Sequence, residues 1–210
     1  MKKSLLTLFM VLSIAGSAQE NYPAKIGLET LIGKRSALDV SASKQFAEKW
    51  RYRFGHSSIS YWDNNKGALE SVTNNNIDYL LTKNIALSAG IQYHFLKGLV
   101  PNFSISGNYA NPTWFIMVSP SIGVAPHFYS GIVGNIEFKP LVGNNIRLFF
   151  NGKAMYNYDF TNDAHDRSYY YLRAGVMVKK FVLGAGYHLD FYAPQVFRNE
   201  NYGAFVRINF

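Results

Sequence analysis

His56 and Ser58 stand two residues apart in the run Trp50 to Trp62, and an imidazole beside a hydroxyl is the raw material of acyl transfer. In an extended segment residues i and i+2 share a face, with Cα atoms roughly 6.5–7 Å apart. At that distance a ring nitrogen can reach the hydroxyl. A histidine that takes the serine proton creates a nucleophile, provided a third group orients the ring. The alternating set Trp50, Tyr52, Phe54, His56, Ser58, Ser60 and Trp62 opposes Arg51, Arg53, Gly55, Ser57, Ile59, Tyr61 and Asp63. The first set is aromatic at both ends, as a lipid-facing surface would be, yet polar between them. Polar groups turned to hydrocarbon are costly unless they have a partner or a task.

The element that positions this pair is a strand, and the chain reads as strands throughout. Alternation marks twelve, at 25–33, 36–46, 50–62, 70–82, 85–96, 101–110, 113–124, 128–138, 144–157, 168–178, 181–192 and 202–210. In the last, Tyr202, Ala204, Val206, Ile208 and Phe210 alternate with Gly203, Phe205, Arg207 and Asn209. Apolar-out, polar-in alternation is the mark of a transmembrane β-barrel. The expected fold is therefore all-β, an antiparallel up-and-down outer-membrane barrel. Twelve strands are favoured; 25–33 and 101–110 alternate weakly, so ten or eight stay open. Short connections such as Lys83-Asn84 and Lys179-Lys180 alternate with the longer polar segments 63–69, 159–167 and 192–201. Short periplasmic turns and long external loops are the rule for bacterial barrels. An even strand number then puts both termini on the periplasmic side and the His56–Ser58 pair near the outer leaflet. The final Phe210 resembles the terminal aromatic that such barrels present to the barrel assembly machinery, an expected partner.

Bulk properties agree. Met1-Lys2-Lys3, the apolar run Leu5 to Ala15 and Gly16-Ser17-Ala18 read as a signal peptide over 1–18, leaving one domain over 19–210. The apolar run is too short to span a bilayer as a helix, and no later segment is long enough. Of 210 residues, 48% are hydrophobic, with 15 Tyr and 16 Phe, an aromatic load that suits barrel girdles. There is no cysteine. Removing Lys2 and Lys3 with the leader leaves 19 basic and 13 acidic residues, a net charge of +6. A basic exported barrel favours anionic lipid head groups, lipid A or lipopolysaccharide among them. A leader and this strand pattern exclude a nucleic-acid partner.

The inward set carries Glu29, Asp39, Glu137 and Asp190 with Arg51, Arg53, Arg147, Lys153, Arg173 and Arg207. Opposite charges in a narrow lumen are expected to pair and plug it, which argues against a wide channel. His94 falls inside with Ser88 and Gln92, and His188 inside with Asp190. His127 and His165 fall at external loops. A metal site needs three or more converging ligands, and no spacing here supplies them. No cofactor and no metal are expected.

Arg53-Phe54-Gly55-His56-Ser57-Ser58, followed by Asn65-Lys66-Gly67 and Glu70, resembles the active-site region of the lipid A 3-O-deacylase family of outer-membrane barrels. The resemblance covers about 18 of the 210 residues. It implies Ser58 as nucleophile, His56 as base and Glu70 as the residue orienting His56, acting on an ester-linked acyl chain of lipid A. The chain departs from that pattern in three ways. The motif lies in the first third of the sequence rather than near its end, Ile59-Ser60 follows the serine, and one residue is inserted between Gly67 and Glu70.

Two alternatives stay open. If the external loop runs to Ser71, the opposing outward residues become Ser71, Thr73 and Asn75, and Asn75 is the nearer third member. A bulge at Gly55 would instead turn His56 and Ser58 into the lumen. The functional expectations are thus a lipid A deacylase-like serine esterase, a non-enzymatic barrel with a structural or partner-binding role, and a narrow solute pore.

Overall fold

The computed structural model describes residues 23–62, 70–124, 127–193 and 197–210. The expected signal peptide and the Asn65-Lys66-Gly67 turn lie outside them. Thirteen strands follow one another: β1 (Lys25–Gly33), β2 (Arg35–Ala47), β3 (Trp50–Tyr61), β4 (Glu70–Leu80), β5 (Ile85–His94), β6 (Gly98–Ala110), β7 (Trp114–Gly123), β8 (Tyr129–Phe138), β9 (Leu141–Gly143), β10 (Ile146–Asp159), β11 (Ala164–Val178), β12 (Phe181–Tyr192) and β13 (Phe197–Asn209). Each long strand pairs antiparallel with its chain neighbours, and β13 pairs with β1, so the sheet closes. The three-residue β9 pairs only with the start of β10. Twelve strands make the wall.

Closure is what lets this backbone cross a membrane, because every ladder group finds a partner and no edge faces lipid. The weakly alternating segments 25–33 and 101–110 are full wall strands, β1 and β6. Strands β11 and β13 start earlier than hydropathy places them, at Ala164 and Phe197. Their first turns are polar, and outside the hydrocarbon a strand is held by its ladder bonds alone, with no need of an apolar face. The external connections 159–167 and 192–201 are correspondingly shorter than expected.

The outer face carries exposed Ile77, Leu87, Ile91, Ile105, Ile132, Leu172 and Val206. Aromatics ring its two ends. Trp50 packs edge-on against Tyr79, and Trp114 leans on Phe138 near the periplasmic turns. Tyr170 and Phe191 meet toward the external side. An apolar band between aromatic girdles is the exterior of a bilayer-spanning barrel.

The lumen is filled on one side. Leu31, Ala37, Ile59, Phe149, Val182 and Phe205, from β1–β3, β10, β12 and β13, form a buried cluster inside the wall. Around it run ion pairs from the same sector. Arg173 and Arg207 share Glu29 at 2.7 and 2.6 Å, and Arg207 also reaches Glu137 at 2.6 Å. Arg35 and Arg167 share Asp190, which also accepts from the Tyr171 hydroxyl at 2.9 Å. The facing sector, β4 to β8, points mainly amides and hydroxyls inward, with Asp78 held by Arg51 and Arg53 and Glu137 by Arg207.

Candidate functional site: an outward polar stripe and the lumen

Strand β3 keeps unbroken register with β2 and β4 through Gly55, which pairs with Ser41 and Asn74. No bulge interrupts the alternation there. His56 and Ser58 therefore stay on the outer face, between Val40 and Leu38 on β2 and Thr73 and Ser71 on β4. Strand β4 opens at Glu70 opposite Ile59, the register that places Ser71, Thr73 and Asn75 outward.

The side chains partner differently from the triad expectation. His56 Nδ1 lies 2.8 Å from the Thr73 hydroxyl, its direct cross-strand neighbour. The Asn75 amide oxygen accepts from the Tyr52 hydroxyl at 2.7 Å, one step toward the periplasm. Glu70 shares the inward parity of Asn74, and its carboxylate accepts from the Tyr192 hydroxyl at 2.6 Å across the external mouth. Among the described residues the Ser58 hydroxyl makes no side-chain hydrogen bond. The structure thus brings His56, Thr73, Ser58 and Ser71 onto one patch, with Asn75 beside Tyr52 and Glu70 on the opposite side of the wall. Thr73 was not among the expected site residues. Its signal was parity, since any residue directly opposite His56 must share its face.

The second candidate lies inside. A cavity of about 860 Å³, whose lining also takes in outward Val40, Phe54 and His56, includes lumen residues from Lys25 and Phe210 near the periplasmic end to Glu70, Lys97 and Asp166 near the external end. One wall is neutral and polar: Asn74, Asn76, Gln92, Asn102, Ser104 and Ser121. These groups partner one another, as where Gln92 donates to Asn74 at 3.1 Å and accepts from the Tyr129 hydroxyl at 3.0 Å. The other wall carries Lys153, Arg173 and Arg207 with Tyr169 and Tyr171. Arg51 and Arg53 close on Asp78 near the periplasmic end of β4, at 2.8 and 2.6 Å. At the external mouth Lys97 holds Asp166 at 2.8 Å and Asp159 at 3.6 Å.

The charges expected inside pair as foreseen for Glu29, Glu137, Arg173 and Arg207. His188 accepts from Arg173 through Nε2 at 2.6 Å and stacks on Tyr171, while Asp190 serves the arginines instead. Arg147 bonds the backbone carbonyls of Pro112 and Lys139 near the periplasmic turns. Asp78, Arg35 and Arg167 are lumen residues that the sequence reading did not single out. For Asp78 the signal was present: a lone acid between Ile77 and Tyr79 must face in if they face lipid. Arg35 follows Lys34, and adjacent bases look like a solvated turn.

No family model matches the chain, and no curated protein is similar to it in sequence. Solved structures are similar in fold. A KdgM porin superposes with a TM-score of 0.53 at 8% identity, over 89% of this chain and 99% of that one. A NanC porin gives 0.52 at 11% identity, over 88% and 98%. A KdgM porin in complex with disordered oligogalacturonate gives 0.52 at 9% identity, over 89% and 99%. Identities this low speak to architecture alone. The girdled exterior, the closed wall and these likenesses together make the chain a twelve-stranded antiparallel β-barrel of the outer membrane.

Proposed function

We propose that this barrel is a narrow pore for small polar solutes. The observation that carries the reading is a cavity whose lining includes Lys25 and Phe210 near one end of the barrel and Glu70, Lys97 and Asp166 near the other. Its neutral wall of asparagine, glutamine and serine side chains offers a solute replacements for the water bonds it gives up on entry. The packed sector occupies the side of the lumen formed by β1–β3, β10, β12 and β13. That the similar folds include porins agrees with this reading at the level of architecture. Purified protein in planar bilayers should give small, discrete conductance steps. Folded, inserted protein that stays electrically silent would end the reading.

A second reading keeps the expectation of a lipid A deacylase-like serine esterase. The specific observation in its favour is that His56 and Ser58 both face outward from one strand, flanked by Thr73 and Ser71. Against it, His56 is engaged by Thr73, and Glu70, the carboxylate expected beside it, turns inward. A serine nucleophile needs a base in hydrogen-bond reach and a group that orients that base. Mass spectrometry of lipid A from cells expressing wild-type or Ser58→Ala protein decides it. A shortened acyl pattern that requires Ser58 would establish the esterase, and identical patterns would remove it.

A further inference from the structure

We propose that the passage selects small anions and that Lys153 sets this preference; the proposal rests on the pore reading. Lys153 lies near the middle of β10, between Asn151 and Met155 on the inward parity, and lines the cavity. Its ammonium sits 5.5 Å from the centre of the Tyr169 ring. Among the described residues no carboxylate lies within ion-pair distance of it. Most other cations of the inner wall are held in ion pairs, Lys25 at the periplasmic end apart. Arg173 and Arg207 hold Glu29, Arg51 and Arg53 hold Asp78, Arg35 and Arg167 hold Asp190, and Lys97 holds Asp166.

The balance within those clusters points the same way. Asp78 and Asp190 each serve two arginines. Glu29 and Glu137 together face Arg173, Arg207 and Lys139. Each cluster is left one positive charge in excess, and only the Lys97 cluster at the external mouth is acidic. The carboxylates that look toward Lys153 from other strands are Glu29, already holding two arginines, and Asp39 on β2, which makes no ion pair among the described residues. Asp39 therefore moderates the field of Lys153 without quenching it.

A cation held by an aromatic ring and its hydroxyl, with no carboxylate in ion-pair distance among the described residues, concentrates anions and repels cations inside a low-dielectric wall. Tyr169 contributes its ring face, which favours the cation and holds the lysine stem against the wall. The passing solute would be a small inorganic or organic anion that exchanges part of its hydration shell for the Lys153 ammonium and the amides facing it.

The test is the reversal potential of single channels across a KCl gradient. Wild-type protein should be chloride-preferring. Lys153→Gln should lower the chloride-to-potassium permeability ratio by about twofold or more, and Asp39→Asn should raise it. Lys83→Gln, which removes an equal charge from an exposed periplasmic turn, should leave the ratio unchanged. The opposite signs keep the proposal testable should either lumen variant fold poorly, which heat-dependent gel mobility reports. Conducting channels that prefer potassium, or ratios that ignore both lumen variants, would overturn the anion assignment alone. An absence of conductance from folded protein would overturn the pore reading with it.

Discussion

Arg53 Nε donates to the Asp78 carboxylate at 2.6 Å across the β3–β4 ladder, and Asp78 has no solvent exposure. Arg51, its direct register partner, joins from the other side at 2.8 Å, and the Ser88 hydroxyl donates to the second carboxylate oxygen at 2.8 Å. One acid therefore ties three strands near the periplasmic end of the wall.

Asp78→Ala should destabilise the barrel by roughly 2–3 kcal/mol. Breaking a fully buried pair costs about 3–5 kcal/mol, and here both arginines keep about a quarter of their exposure, so lumen water offsets part of the loss. The midpoint of urea unfolding from phospholipid vesicles measures it. A shift no larger than that of an exposed substitution would show that the arginines find other partners.

The His56–Thr73 pair on the outer face predicts strong coupling. Thr73→Val alone should cost about 1–3 kcal/mol, because it leaves the imidazole nitrogen facing lipid unpaired. The double variant His56→Leu with Thr73→Val should recover most of that, since an apolar pair suits hydrocarbon. A double-mutant cycle on unfolding free energies gives the coupling, and additive effects would argue that the bond is not formed in the bilayer.

Gly55 separates the two functional readings. A Cβ built there meets nothing within 4 Å, and the position lines the cavity. Gly55→Ala should leave stability and conductance unchanged. Gly55→Trp should cut single-channel conductance by half or more, on the order expected when a bulky ring enters a narrow pore. Unaltered conductance from the tryptophan variant would place the ion path elsewhere.

The seam between the first and last strands is intolerant in a different way. Gly33 and Gly203 are register partners, and a Cβ on Gly203 would sit 1.9 Å from the Ile32 carbonyl oxygen. That oxygen belongs to the backbone and cannot swing aside. Gly203→Val should therefore shift much of the protein to the unfolded, slow-closing form on unheated gels, by at least the 1–3 kcal/mol typical of overpacking. Normal closure would mean that the strands can slide apart at the seam.

Most of the wall was legible because period-two hydropathy is imposed by lipid outside and water inside. β1 and β12 were read to the residue, and β3 almost so. Strand ends such as Phe197 were not, because beyond the hydrocarbon nothing forces a polar residue to alternate. The outward placement of His56 and Ser58 followed from the same parity. Their partners did not, because Glu70 against Thr73 was a matter of one residue of register across a turn, and a single-residue slip exchanges the two faces. The one-sided arrangement of the lumen was also beyond reach. Charges of both signs on one parity foretell pairing, but not that the pairs would gather on one side of the lumen.

That gathering divides the molecule into two regions under different constraint. The buried cluster and its ion pairs belong mainly to the strands at the two ends of the chain, which meet at the seam. The neutral wall belongs to the middle of the chain, from Asn74 to Ser121. Drift among the central asparagines and serines can reshape the lumen without touching the contacts that close the cylinder. A lineage carrying this architecture can vary its lining while keeping its scaffold, and an engineer can treat β4 to β8 as exchangeable.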